Sequence, residues 1–335
     1  MLDIPHSRET VKLSLMDTGA VRTETASSLF KPHVRGFDTV TFKLWAFLIS
    51  HGDTHVLFDL SNSDAHPEPV FHIDVTQDVF DVLDAATPPT IKPDTVSACI
   101  WSHHHFDHRG DIGRFPASTQ LVVGPGVHQA YLPGYPSNPE SELAETDFMG
   151  REVREMSNAE FTLTCGGYAA HDYFGDGSFF LLSSPGHTTG HLSALARVTS
   201  DSEDSTFVFL GGDCAHHCGV FRPSQYVPLP ESITLGNVTY TVEEVRSIHP
   251  KGSMVEPFLQ VDEEPMCEDH AAAVESVEKM QVFDAQDNIL VCIAHDATLR
   301  RHLPVFPETL NGWKQADLKN KLRWEFLRDF GIIGG

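Results

Sequence analysis

The segment Ser102-His103-His104-His105-Phe106-Asp107-His108 constrains this chain more than any other. It follows directly on an apolar, β-prone run at 95–101, so its side chains sit on a short loop at the end of a strand. Successive side chains in extended backbone point to opposite faces, so His103 and His105 share a side while His104 turns away. Two imidazoles can then reach one ion, and Asp107 with His108 can reach a neighbour. The carboxyl end of a strand is also where open α/β sheets present ligand-binding loops.

One loop does not supply enough donors for such a site, and the remaining ones stand at the ends of other strand-like runs. The run at 179–183 leads into Pro185-Gly186-His187-Thr188-Thr189-Gly190-His191, which offers His187 in a glycine-flanked turn. The run at 207–210 leads into Gly211-Gly212-Asp213, where glycine permits close backbone approach and a carboxylate can span two cations. The run at 289–294 ends at His295, followed by Asp296. The candidate metal ligands are therefore His103, His105, Asp107, His108, His187, Asp213 and His295. Imidazole-rich ligation suits zinc, so two Zn2+ are the expected cofactors. His191 reads as a residue that orients its loop. His51, His66, His72, His128, His171, His249, His270 and His302 read as ordinary surface or hydrogen-bonded histidines.

Around these motifs the chain reads as a single α/β unit over 1–335, with insertions near 131–174 and 222–269 that wall a site. Two apolar runs, 42–49 and 55–60, flank His51-Gly52-Asp53 and predict a hairpin. Val75, Val79, Val82, Leu83 and Ala86 recur at helical spacing behind Asp74 as a cap, up to Pro88-Pro89. A short strand is predicted at 120–123. Leu318, Leu322, Phe326 and Phe330 predict an amphipathic helix over 313–330.

Forty-seven acids against twenty-three Lys and Arg give a net charge of −24, which argues against nucleic-acid and anionic membrane partners. The first twelve residues carry Asp3, Arg8, Glu9 and Lys12 with no apolar run, and no stretch reaches the roughly 18 apolar residues of a membrane span. A cytoplasmic protein is expected. The six cysteines are scattered and read as reduced, buried thiols.

The order HxHxDH, PGHxxGH, GGD and strand-final His resembles the metallo-β-lactamase superfamily. The resemblance implies a four-layer αβ/βα sandwich, two mixed β-sheets flanked by helices. Phe106 before Asp107, and Asp296 after His295, look like the dinuclear lactonases that open acyl-homoserine lactones. That likeness implies His103, His105 and His187 on one metal, Asp107, His108 and His295 on the other, and Asp213 between them. The stretch 211–224, GGDCAHHCGVFRPS, is similar to fungal members, some of which open lactam rings of foreign compounds. Two positions depart from the bacterial lactonases. His216 stands where they carry a tyrosine, and Arg109-Gly110-Asp111 replaces the usual Gly-Gly after the first motif.

The expected function is hydrolysis of a small cyclic ester or amide, a lactone or lactam, by a hydroxide bridging two metals. Asp107 is the expected proton carrier and His216 the expected donor to the tetrahedral oxyanion. Arg222 and Tyr226 are candidate substrate contacts. Phe30, Phe106, Phe148, Met149 and Phe221 are candidates for an apolar wall. A thioesterase acting on acyl or polyketide thioesters would use the same motifs and is the alternative.

Overall fold

The computed structural model describes residues 2–62, 75–87, 91–200, 205–261, 263 and 266–331. Its strands, in chain order, are β1 (Lys12–Met16), β2 (Val21–Thr25), β3 (Thr39–Lys43), β4 (Ala46–His51), β5 (Thr54–Phe58), β6 (Val96–Ile100), β7 (Gln120–Val123) and β8 (Val153–Glu155), then β9 (Leu163–Cys165), β10 (Tyr168–Asp172), β11 (Phe179–Ser183), β12 (Leu192–Thr199), β13 (Thr206–Leu210), β14 (Ser232–Leu235), β15 (Val238–Thr241) and β16 (Ile289–Cys292). Two six-stranded sheets have the orders β1-β4-β5-β6-β7-β8 and β16-β13-β12-β11-β10-β9. Both are mixed. The first turns parallel from β5 onward, and in the second only β13 and β16 run parallel.

The layering follows from the period of two along each strand. On β4, Phe47 and Ile49 join the core between the sheets, whereas Ala46 and Leu48 face an outer core. On β11, Phe179 and Leu181 point inward while Phe180 and Leu182 point outward. Both sets are buried, which is why these runs are apolar throughout instead of alternating with polar residues. The helix Val79–Ala85 covers the first sheet with Val79 and Leu83. The helix His270–Asp284 covers the second with Val277, Met280 and Phe283, and the Asp269 carboxylate caps it by accepting from Ala272 N. No helix among the described residues is long and apolar enough to cross a membrane.

Several local expectations change. The 42–49 run is not one strand: Phe42 and Lys43 close β3, which pairs with β2, and Leu44 and Trp45 connect to β4. The 75–86 helix begins only at Val79, where the Asp78 carboxylate accepts from Asp81 N; Asp74 lies outside the described residues. The C-terminal helix is broken into Leu318–Leu322 and a tighter turn at Glu325–Phe330. The Arg323 carbonyl accepts from the Arg222 guanidinium instead, and Leu327 N reaches back only to Trp324 O. The apolar residues at four-residue spacing are all buried, but across a break. The 131–174 stretch, expected as an insertion, also supplies the edge strands β8 and β9 and, inside β9, the strand β10. Their short, partly polar sequences hid them. All six cysteines are buried and free.

Candidate metal centre

Parallel pairing sets the carboxyl ends of β5 and β6 side by side, and those of β13 and β16 likewise, so four loops open on one edge of the sandwich. The turn after β11 joins them. At Gly212, with φ +52°, a Cβ would lie 2.9 Å from His191 Nε2 and 3.0 Å from Ser102 Cβ. At Gly186, with φ +132°, it would lie 2.2 Å from Ala273 N. Only glycine lets these two loops pack against their neighbours.

The structure brings all seven sequence-predicted ligands together. His187 Nε2 is 3.2 Å from His103 Nε2 and 3.0 Å from His105 Nδ1. Asp213 Oδ2 lies 3.7 Å from His103, 3.6 Å from His187, 3.2 Å from His108 and 3.1 Å from His295. Asp107 is 3.6 Å from His295 Nε2 and 3.8 Å from His108 Nε2. Ligand atoms thus fall into one group of His103, His105, His187 and Asp213 and another of Asp107, His108 and His295.

These spacings fit divalent cations better than they fit hydrogen bonds alone. A ring nitrogen offers one N–H or one lone pair, yet His187 Nε2 faces two other ring nitrogens, so at most one of the two contacts is a well-directed hydrogen bond. Around a tetrahedral zinc with bonds of about 2.0–2.1 Å, ligand atoms sit about 3.3–3.4 Å apart, close to the separations seen here. Asp213 Oδ1 is buried without a hydrogen-bond partner among the described residues.

Neighbours fix the rings from behind. Asp59, at the end of β5, holds His108 Nδ1 at 2.9 Å through one oxygen and accepts from Ser102 N at 2.7 Å through the other. Lys43 O is 3.0 Å from His295 Nδ1, and Ser102 Oγ is 3.0 Å from His103 Nδ1. His191 takes the orienting place expected of it, accepting from Asp213 N at 3.0 Å while its Nδ1 meets Ser184. Such partners set tautomer and ring plane. Nothing in the local sequence marked Asp59 beyond its position at a strand end.

Burial and mutual repulsion hold the His103 and His187 imidazoles well below the usual range, and burial brings His105 to about 3. Burial would lower His108 as well, but Asp213, Asp59 and Asp107 surround it and raise it. Burial would raise Asp213, and His108, His295 and His216 more than offset this.

The centre floors a cavity of about 290 Å³ lined by Leu29, Phe30, Phe42, Phe106 and Met266, with Arg22, Arg109 and His216 among its polar residues. Arg22, Leu29, Phe30 and Phe42 all come from the β2–β3 excursion, so a segment outside both main sheets forms one wall. His216 Nε2 is 3.1 Å from Asp213 Oδ2, and its ring stacks on His295 at 5.5 Å. The backbone at 102–105 is bent and not extended, and His104, which joins neither of the two ligand groups, lies beside His105 and stacks on Tyr131.

Other predicted contacts lie elsewhere. Arg222 is buried in a two-pronged ion pair with Asp284, and Tyr226 is exposed and does not line the cavity. Of the apolar wall, Phe30 and Phe106 line the cavity; Phe148 packs on Trp101, Met149 is exposed and Phe221 lies under Arg222.

Fold and site define the class: the chain belongs to the metallo-β-lactamase superfamily. The model of that superfamily matches residues 42–198. The chain is 43% identical to the metallo-hydrolase mfmC of Annulohypoxylon moriforme, over 98% of this chain and 90% of that protein. It is 40% identical to the gamma-lactamase FDB1 of Fusarium pseudograminearum (strain CS3096), over 98% of this chain and 84% of that one. A crystal structure of a quorum-quenching N-acyl homoserine lactone hydrolase superposes with a TM-score of 0.60 at 18% identity, covering 91% of this chain and all of that one. This likeness is one of fold.

Proposed function

We propose that this chain is a metal-dependent hydrolase that opens the lactam or lactone ring of a small foreign compound or secondary metabolite. The observation that carries the reading is the convergence of His103, His105, His187, Asp107, His108, His295 and Asp213 on the floor of an apolar cavity. The likeness to a gamma-lactamase along nearly the whole chain supports the ring-opening part.

His103, His105 and His187 would hold one zinc ion and Asp107, His108 and His295 a second, with Asp213 shared. When bound, such a pair supplies Lewis-acid polarisation of a carbonyl and a water acidic enough to react near neutral pH. Asp107 would hold a proton on a carboxylate oxygen and return it to the leaving nitrogen or oxygen. His216 Nε2 faces Asp213 Oδ2 at 3.1 Å in the resting site, and turning from that carboxylate would let it donate to the carbonyl oxygen as charge develops there; a donor so placed is worth about 3 kcal/mol. Leu29, Phe30, Phe42 and Phe106 bind the apolar body of the substrate and exclude water.

A void of about 150 Å³ accepts benzene, so about 290 Å³ suits one or two rings with substituents. The test is a parallel panel of lactams, lactones, aryl esters and acyl thioesters offered to zinc-loaded protein. Turnover of cyclic amides or esters is expected; turnover of thioesters alone would replace the reading with the thioesterase one.

A further inference from the structure

Three of the imidazoles are held through their second nitrogen: His103 by Ser102 Oγ, His108 by Asp59 and His295 by Lys43 O. His187 is not. Its Nδ1 is buried without a hydrogen-bond partner among the described residues, so the orientation of this ring comes from the backbone of its loop and from the rings packed against it.

That loop is clamped from outside. Thr189, two positions after His187, donates its N–H to Glu268 Oε2 at 2.6 Å and its hydroxyl to the same oxygen at 2.8 Å. Tyr131 Oη donates to Glu268 Oε1 at 2.6 Å and accepts from Thr189 N at 3.1 Å. Backbone pairing extends the contact, with Glu268 N on His187 O at 3.0 Å and Asp269 N on Gly186 O at 2.9 Å. On its other side the Tyr131 ring stacks on His104 at 3.7 Å between centroids, next to His105. One network therefore touches both loops that supply His103, His105 and His187. None of these hydrogen bonds, nor the ring stack, reaches Asp107, His108 or His295.

Resting on the two-cation reading above, we propose that Tyr131 and Glu268 are positioning residues that set the affinity of the His103, His105 and His187 cluster for its cation. The Asp107, His108 and His295 cluster is independent of them. A carboxylate accepting from three donors fixes the loop more firmly than a single neutral hydrogen bond would. Glu268 and Thr189 are exposed, so replacing them leaves the core intact.

The experiment strips the full chain of metal and titrates it with zinc against a competing chelator, reading stoichiometry by elemental analysis and folding by circular dichroism. Wild type takes two equivalents. Glu268→Ala weakens one equivalent by about 10- to 100-fold, the range for partners that orient a ligand, and leaves the other unchanged. Tyr131→Phe, which keeps the ring stack and loses only the hydroxyl, weakens the same equivalent by less and carries the test should Glu268→Ala fail to fold. Thr189→Ser keeps both donors and behaves as wild type. At one equivalent of zinc, anomalous diffraction from the Glu268→Ala protein shows the ion beside His108 and His295. Wild-type affinity for both equivalents in Glu268→Ala and Tyr131→Phe would overturn the clamp alone, as would equal weakening of both. A wild-type chain unable to take two equivalents would overturn the two-cation reading and the clamp with it.

Discussion

Replacing Arg222 by methionine separates a structural arginine from a substrate-binding one. Its guanidinium donates to Asp284 through Nε at 2.9 Å and through a terminal nitrogen at 2.7 Å, with a third bond of 3.1 Å to Arg323 O. Both partners are buried. Removing one member of such a pair leaves an uncompensated charge, at a cost of about 3–5 kcal/mol. An unfolding entropy of about 2.1 cal/mol/K per residue over 335 residues is about 0.7 kcal/mol/K, so Tm falls by about 4–7 °C at pH 7.

The pH dependence has a definite sign. In wild type, burial would raise Asp284, but Arg222, Lys319 and Arg323 hold its carboxyl below the usual value. Its contribution is therefore complete above the unfolded pKa of about 3.9 and is lost only as pH falls through the lower folded value. In Arg222→Met burial dominates and raises the folded pKa, so the penalty is greatest at high pH and shrinks as the carboxyl protonates. Differential scanning fluorimetry between pH 8 and pH 5 should show the gap in Tm narrowing as pH falls. Arg222→Met combined with Asp284→Leu should regain most of the loss, with turnover at wild-type level. A single variant with unchanged Tm and kcat/KM lowered by about tenfold or more would refute the reasoning and return Arg222 to the substrate.

Three further outcomes are expected. Asp213→Ala, which removes the one carboxylate facing both ligand groups, should lose both cations by elemental analysis and all measurable turnover. His216→Ala should keep two equivalents of zinc while kcat falls about 100-fold, as for loss of an oxyanion donor; unchanged kcat would remove it from the chemistry. Phe106→Ala should raise KM about tenfold through lost apolar contact, with kcat little changed, as read from initial rates on the best substrate of the panel.

The site was legible because its donors sit in short motifs at strand ends, where period and position alone carry the information. Ser102 to His108, His187, Asp213 and His295 could be read that way. Asp59, Tyr131 and Glu268 could not, since each acts through a partner far along the chain and no local pattern distinguishes such an acid or tyrosine from a surface one. The cavity wall was half legible for the same reason. Phe30 was named, but Leu29, Phe42 and Arg22 reach the cavity only because β2 and β3 pair outside the main sheets. The apolar spacing over 313–330 marked the buried residues correctly, while the break at Arg323 depends on an arginine about a hundred positions earlier taking its carbonyl.

Zinc-edge anomalous diffraction from crystals of the metal-loaded chain tests the central claim most directly. Two peaks about 3.5–4 Å apart on either side of Asp213, one beside His103 and His187 and the other beside His108 and His295, are the predicted result. A single peak, or peaks remote from Asp213, would contradict it.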